Sequence, residues 1–208
     1  MGITAIVLAG GQGSRMNHQD KAWVNHAGKP LIHHVIEQIR DSVDDIVISR
    51  NRQHPGYDAL SYACVSDILE GFQGPLAGVL SCVPHVTTEL ALIVPCDTPN
   101  LPPDLAGRLL AGKGKASVAV AAHDGKIEPL IFLADKNVLA SIKGYLDTDQ
   151  RSVMGWHQTH HINVVSFGEG KSCFENINRT EQLQVQPRST KALRIGTSRE
   201  EAEKKKPS

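Results

Sequence analysis

Four short clusters along the chain carry side chains suited to handling phosphate. The first is Gly10-Gly11-Gln12-Gly13-Ser14-Arg15-Met16, directly after the apolar run Thr4 to Ala9. Glycines let backbone N–H groups close around phosphate oxygens, and Arg15 adds charge-assisted hydrogen bonds. The second is Asp20-Lys21, within reach of a phosphate chain held by that loop. The others are Asp67, just past the apolar Tyr62 to Val65, and Asp97, in Pro95-Cys96-Asp97-Thr98-Pro99. A carboxylate holding a divalent ion would neutralise triphosphate charge, while Lys21 and Arg15 stabilise the charge that builds as pyrophosphate leaves. That chemistry is nucleotidyl transfer. Singly, each aspartate is equally an ordinary strand-end turn residue, and the glycine loop an ordinary tight turn.

Two familiar phosphate motifs are absent. G-x-G-x-x-G fails because Gly11 and Gly13 are followed by Met16, and the P-loop pattern fails because Gly28-Lys29 lacks the earlier glycine and runs into Pro30.

The elements that must position these residues follow from hydropathy. Strands are predicted at Thr4 to Ala9, Asp45 to Ser49, Tyr62 to Val65, Leu90 to Val94, Ser117 to Ala121, Pro129 to Leu133 and Ile162 to Val165. Helices are predicted from Pro30 through Leu31, Val35 and Ile39, at Gly78 to Val83, at Pro103 to Leu110 with proline opening it, around Val138 to Leu146, and from about Thr180. Alternating strands and helices mean an α/β fold with a mostly parallel central sheet and helices on both faces. Asp124-Gly125 is a hairpin signal that adds a small antiparallel element. In such sheets ligands bind beyond the carboxyl ends of the strands, where the loop, Asp67 and Asp97 can converge.

At 208 residues, one domain is expected over residues 1–184, followed by a charged, disordered tail at 185–208 that ends in Lys204-Lys205-Lys206-Pro207-Ser208. The 22 basic and 22 acidic residues cancel, which removes the electrostatic footprint of a nucleic-acid binder. The four cysteines are widely spaced with no C-x-x-C pair, so neither a zinc knuckle nor a disulfide framework is expected. The apolar opening is too short for a signal segment or a membrane span, and a cytoplasmic location follows as the expectation.

The combined set resembles molybdenum cofactor guanylyltransferase, within the wider nucleotidyltransferase superfamily. The resemblance runs from about residue 3 to 184 through Leu8-Ala9-Gly10-Gly11, Gly13 to Met16, Asp20-Lys21, Gly28-Lys29-Pro30-Leu31, Gly74-Pro75-Leu76-Ala77-Gly78, Cys96-Asp97-Thr98-Pro99 and Asn176-Ile177-Asn178. It implies a Rossmann-like nucleotidyltransferase fold and transfer of GMP from GTP to molybdenum-molybdopterin, with Mg²⁺ as cofactor. The implied nucleotide contacts are Leu8, Ala9, Gly10, Gly11, Lys21, Asn51, Asp67 and Asp97. Asp97 would also hold the metal, and Arg15, Lys21 and Asp97 would be the catalytic groups. Arg151, Asn176 and Asn178 fall in stretches the family associates with the pterin. Implied partners are GTP, molybdenum-molybdopterin and molybdoenzyme maturation proteins, without nucleic acid or membrane. The residues alone leave a cytidylyltransferase, a sugar- or alcohol-phosphate nucleotidyltransferase and a non-catalytic cofactor-delivery protein open. One departure is Asn178-Arg179-Thr180, where the family places Thr-Pro after the asparagine.

Other groups have plainer readings. His157-x-x-His160-His161 reads as surface histidines near a turn rather than a metal site, and His33-His34 as packing or solvent residues. Cys96 reads as a buried, inert thiol, and Trp23 and Trp156 as core or pocket-wall residues.

Overall fold

The computed structural model describes residues 1–10, 20–68, 73–168 and 173–177. Gly11, Arg15, Asn178, the helix expected from Thr180 and the tail at 185–208 lie outside the described residues.

The main sheet is built from β1 (Ile3–Leu8), β4 (Asp45–Arg50), β5 (Ala63–Ser66), β6 (Leu90–Pro95), β7 (Val118–His123), β8 (Lys126–Asp135) and β9 (Ile162–Phe167), while β2 (Asn25–His26) and β3 (Lys29–Pro30) form a separate antiparallel ribbon. The spatial order is β5-β4-β1-β6-β8-β7-β9. Only β8 runs antiparallel to its neighbours, so the other six strands share one carboxyl edge. β1 and β6 are buried along their whole length, which is why they read as unbroken apolar runs.

Helices cover both faces: α1 (Leu31–Ile39), α2 (Pro55–Asp58), α3 (Pro75–Cys82), α4 (Leu105–Lys113), α5 (Lys136–Leu139), α6 (Ser141–Asp147) and α7 (Val153–His157). Alternate β1 residues Ile3, Ala5 and Val7 pack with α1 and α4 through Ile32, Val35, Ile39, Leu105 and Leu109. Ile6 and Leu8 point the other way, toward α3, α6 and α7 through Leu76, Val79, Ile142 and Trp156. Among the described residues, no helix is long and apolar enough to cross a membrane.

Most elements match the sequence expectation, and the departures have local causes. Pro30 pairs with Asn25 in the small ribbon and caps α1 rather than opening it at the first helical position. Pro103 likewise lies outside α4, which starts after the Asp104 cap. α3 starts at Pro75, earlier than expected, because Gly74 (φ +82°) makes a turn open mainly to glycine and the proline then occupies the first turn. The helix predicted across 138–146 is two helices. The Ser141 hydroxyl donates to the Val138 carbonyl at 2.6 Å and accepts the Trp156 indole N–H at 3.0 Å, marking the junction. Asp124 (φ 49°) and Gly125 (φ 73°) form the expected hairpin turn between β7 and β8. Pro129 sits inside β8 where the pairing register with β7 shifts, a place in a sheet that tolerates a missing N–H.

Candidate active site

The carboxyl edge of the parallel strands gathers the candidate residues. Ala9 N–H donates to the Ser49 carbonyl at 2.8 Å, and Cys96 N–H donates to the Leu8 carbonyl at 3.0 Å. These bonds stitch the end of β1 to the ends of β4 and β6, so Gly10, Asn51 and Asp97 emerge side by side. Gly10 lies against Asn51 so closely that a Cβ would fall 2.9 Å from the amide nitrogen. Leu8 and Ala9 are buried and already knitted into the sheet, which leaves Gly10 as the exposed residue of the three.

Asp67 follows β5 on the same edge. It accepts hydrogen bonds from the Asn51 side chain and from the Ser49 hydroxyl, the latter at 3.5 Å. Burial pushes its carboxyl above the usual range despite those donors. α3 can approach this pair because Gly78 has no side chain: a Cβ there would sit 2.5 Å from the Ser49 hydroxyl oxygen.

Lys21 opens a 3-10 turn, Lys21–Trp23, capped by the Asp20 side chain. Its Nζ lies 2.5 Å from Asp97 Oδ2 across 76 residues of sequence. Asp97 in turn is tied to the segment at 173–177. Ile177 N–H donates to the Asp97 carbonyl at 2.9 Å, and the Thr98 hydroxyl donates to Asn176 Oδ1 at 3.0 Å. Asn176 is therefore brought to the Asp97 turn. Arg151 is held elsewhere on the edge, beside the loop that leads into α3. Its Nε donates to Gln73 Oε1 at 2.7 Å and its guanidinium to the Leu146 carbonyl at 2.8 Å.

Residues 5–162 match the family described as the MobA-like NTP transferase domain. The chain is 38% identical over 184 residues to the molybdenum cofactor guanylyltransferase of Shewanella frigidimarina, covering 88% of this chain and 94% of that one. Against the molybdenum cofactor guanylyltransferase of Shewanella halifaxensis it is 36% identical over 184 residues, with 88% and 92% covered. The chain belongs to the molybdenum cofactor guanylyltransferase family. The fold agrees: a molybdopterin-guanine dinucleotide biosynthesis protein A from Archaeoglobus fulgidus superposes with a TM-score of 0.68 at 21% identity, covering 86% of this chain and 94% of that one. As a member of this MobA-like family the protein is an enzyme, a nucleotidyltransferase of molybdenum cofactor biosynthesis.

Among the described residues no group of three His, Cys, Asp or Glu side chains could hold a metal. A single carboxylate at the phosphate end of a MobA-like site still fits magnesium, which binds through one or two carboxylates and completes its shell with substrate phosphates and water. Asp97 supplies the carboxylate at that point of the edge, beside the Lys21 ammonium.

Cys96 is buried, and burial together with the adjacent Asp97 drives its thiol far above the usual range, so it is no nucleophile. Of the histidine group, His157 is fully buried rather than on the surface. Its Nε2 donates to the Pro129 carbonyl at 2.9 Å and its ring meets Phe132 edge-on at 4.8 Å. α7 carries that histidine inward because the same helix turn must bury Trp156.

Three residues beside the site escaped the sequence reading: Ser49, Tyr57 and Thr98. Ser49 interrupts the apolar run Ile46-Val47-Ile48, and a hydroxyl there was the available signal. The Tyr57 and Thr98 hydroxyls donate to partners 37 and 78 residues away, contacts that no local pattern marks.

Proposed function

We propose that this enzyme transfers GMP from GTP to molybdenum-molybdopterin, releasing pyrophosphate and forming the molybdopterin guanine dinucleotide. The supporting observation is the Lys21–Asp97 contact at the carboxyl edge, flanked by Gly10 and Asn51 on one side and by Asn176 on the other. A cation and a carboxylate at one point suit a reaction whose difficulty is phosphate charge.

The terminal phosphate of the pterin attacks the α-phosphorus of GTP in line. A bond forms between that phosphate oxygen and the α-phosphorus, and the bond from the α-phosphorus to the bridging oxygen of the β-phosphate breaks, its electron pair leaving with pyrophosphate. The nucleophile is already anionic, so no general base is required. Positioning and charge neutralisation supply the catalysis. Lys21, with Arg15 from the glycine loop, contacts the phosphates and stabilises the charge that develops on the leaving group. Asp97 would hold magnesium, which when bound would supply neutralisation of the triphosphate charge. Gly10 and Gly11 allow close backbone approach, while Asn51 and Asp67 present an amide and a carboxylate to the base and ribose. Arg151, Asn176 and Asn178 contact the pterin. Molybdoenzyme maturation proteins are the expected recipients of the product, and the cytoplasm, where GTP is available, is the expected location.

The test is nucleotide choice. The enzyme is incubated with Mg²⁺, molybdenum-loaded molybdopterin and GTP, CTP, ATP or UTP in turn, and pyrophosphate and dinucleotide are quantified. Turnover with GTP alone is expected. Turnover with CTP instead would reassign the base, and turnover with none would remove the transferase reading from this pterin.

A further inference from the structure

Asp20 precedes Lys21 and engages both of its carboxylate oxygens. Oδ1 accepts the Ala22 N–H at 3.1 Å, which caps the 3-10 turn. Capping needs only that one bond. The second oxygen, Oδ2, accepts the hydroxyl of Tyr57 at 2.9 Å from a helix 37 residues away.

Tyr57 is held on several sides. It is 3% exposed, its ring stands edge-on to Trp23 at 5.1 Å, and the Arg50 guanidinium lies over it at 5.6 Å. Trp23, the last residue of the Lys21 turn, stacks on His54 at 4.6 Å and covers Gly56 so closely that a Cβ there would meet the indole at 2.3 Å. The loop after β4, which carries Asn51, is thus clamped onto the turn that carries Lys21. Burial and then the Asp20 carboxylate drive the Tyr57 hydroxyl far above its ordinary range, so it keeps its proton and remains a donor.

We infer that Tyr57 and Asp20 are a positioning pair that aims the Lys21 ammonium at Asp97 and the nucleotide phosphates, an inference that rests on guanylyl transfer for the step it serves. Asp20 sets the start of the turn, Tyr57 sets the direction of Asp20, and Lys21 takes its place from both. A long, flexible lysine side chain gains most from such support, because its own rotamers do not fix the charge.

The test removes one oxygen. Tyr57→Phe keeps the ring and its packing but leaves Asp20 Oδ2 without the hydroxyl. In the transfer assay kcat is expected to fall on the order of ten- to a hundred-fold, the cost of a small misplacement of a catalytic group, with a much smaller change in KM for GTP. In a Lys21→Ala background the same substitution is expected to cost nothing further, because the group it positions is gone. Multiplying losses in the double variant would overturn the pairing and leave Tyr57 a purely structural residue. An activity-free readout runs alongside, using ¹⁵N-lysine spectra in which the Lys21 ammonium signal is assigned by its loss in Lys21→Ala. That signal is expected to shift toward the exposed lysines in both Tyr57→Phe and Asp20→Asn, and an unchanged signal would overturn the pairing. Absence of turnover by the parent enzyme would count against guanylyl transfer, while the ammonium signal would still decide the pair.

Discussion

The two halves of the sheet edge build their share of the site in different ways. On the β5-β4-β1-β6 side every strand is parallel, and each ends in a turn that delivers one candidate residue: Asp67, Asn51, Gly10 and Asp97. On the other side β8 runs against its neighbours, and the candidate groups come from loops, with Arg151 ahead of α7 and Asn176 in a segment tied to the Asp97 turn. Parallel pairing makes strand ends converge without further help. The mixed half holds its groups with individual hydrogen bonds, one from Arg151 to the nearby Leu146 carbonyl and others that reach across to the parallel half, from Arg151 to Gln73 and from Thr98 to Asn176. The nucleotide half should therefore be the stiffer of the two, with the acceptor half tied to it by single hydrogen bonds that can be removed one at a time.

The largest expected effect lies at the joint. Lys21→Ala and Asp97→Ala should each cost about 3 kcal/mol of transition-state stabilisation, roughly two orders of magnitude in kcat, by analogy with loss of one preorganised electrostatic group. Pyrophosphate release measured alongside thermal unfolding separates this from misfolding. Activity close to that of the parent in either variant would break the assignment of the joint.

A smaller effect sharpens the contrast between the halves. Arg151→Ala should raise KM for the pterin substrate roughly tenfold, the scale of losing charge-assisted hydrogen bonds, while leaving KM for GTP near that of the parent. An equal rise in both would mean that the halves do not act separately. Some loss of thermal stability should accompany it, because the guanidinium also joins α6 to the loop before α3.

The smallest effect concerns pH and belongs to the acceptor half. Burial holds His157 below its ordinary value, outweighing the Nε2 bond to the Pro129 carbonyl that favours the proton, and the buried Nδ1 has no hydrogen-bond partner for a second one. The unfolded chain then binds the proton more readily than the native one, so stability is intact above the usual histidine value of about 6.5 and falls as pH drops through it. Thermal midpoints from pH 7.5 down to 5 should show the decline, and His157→Gln should flatten part of it. An identical decline in the variant would assign the effect to other groups.

Much of this architecture was legible in local pattern. β1 and β6 announced themselves as apolar runs, the β7–β8 hairpin as Asp124-Gly125, and the Lys21 and Asp97 clusters by their placement after strands. What local pattern misjudged was where helices begin and end. Pro30 and Pro103 were each compatible with a first helical turn, but one pairs in a ribbon and the other precedes a separate cap. His157 looked like one of a surface group because hydropathy does not register that a helix turn led by Trp156 faces the core.

Sequence by itself determined the main strands and helices, the alternation that makes an α/β sheet and the residue types at the strand ends, because these depend on neighbours within a few positions, and it determined the family through motifs set in order along the chain. Only the tertiary structure decided that β1 lies between β4 and β6, that Lys21 meets Asp97 across 76 residues, and that Tyr57 reaches Asp20. Those contacts depend on strand order and on which faces are buried together, and chain separation hides both from any local reading.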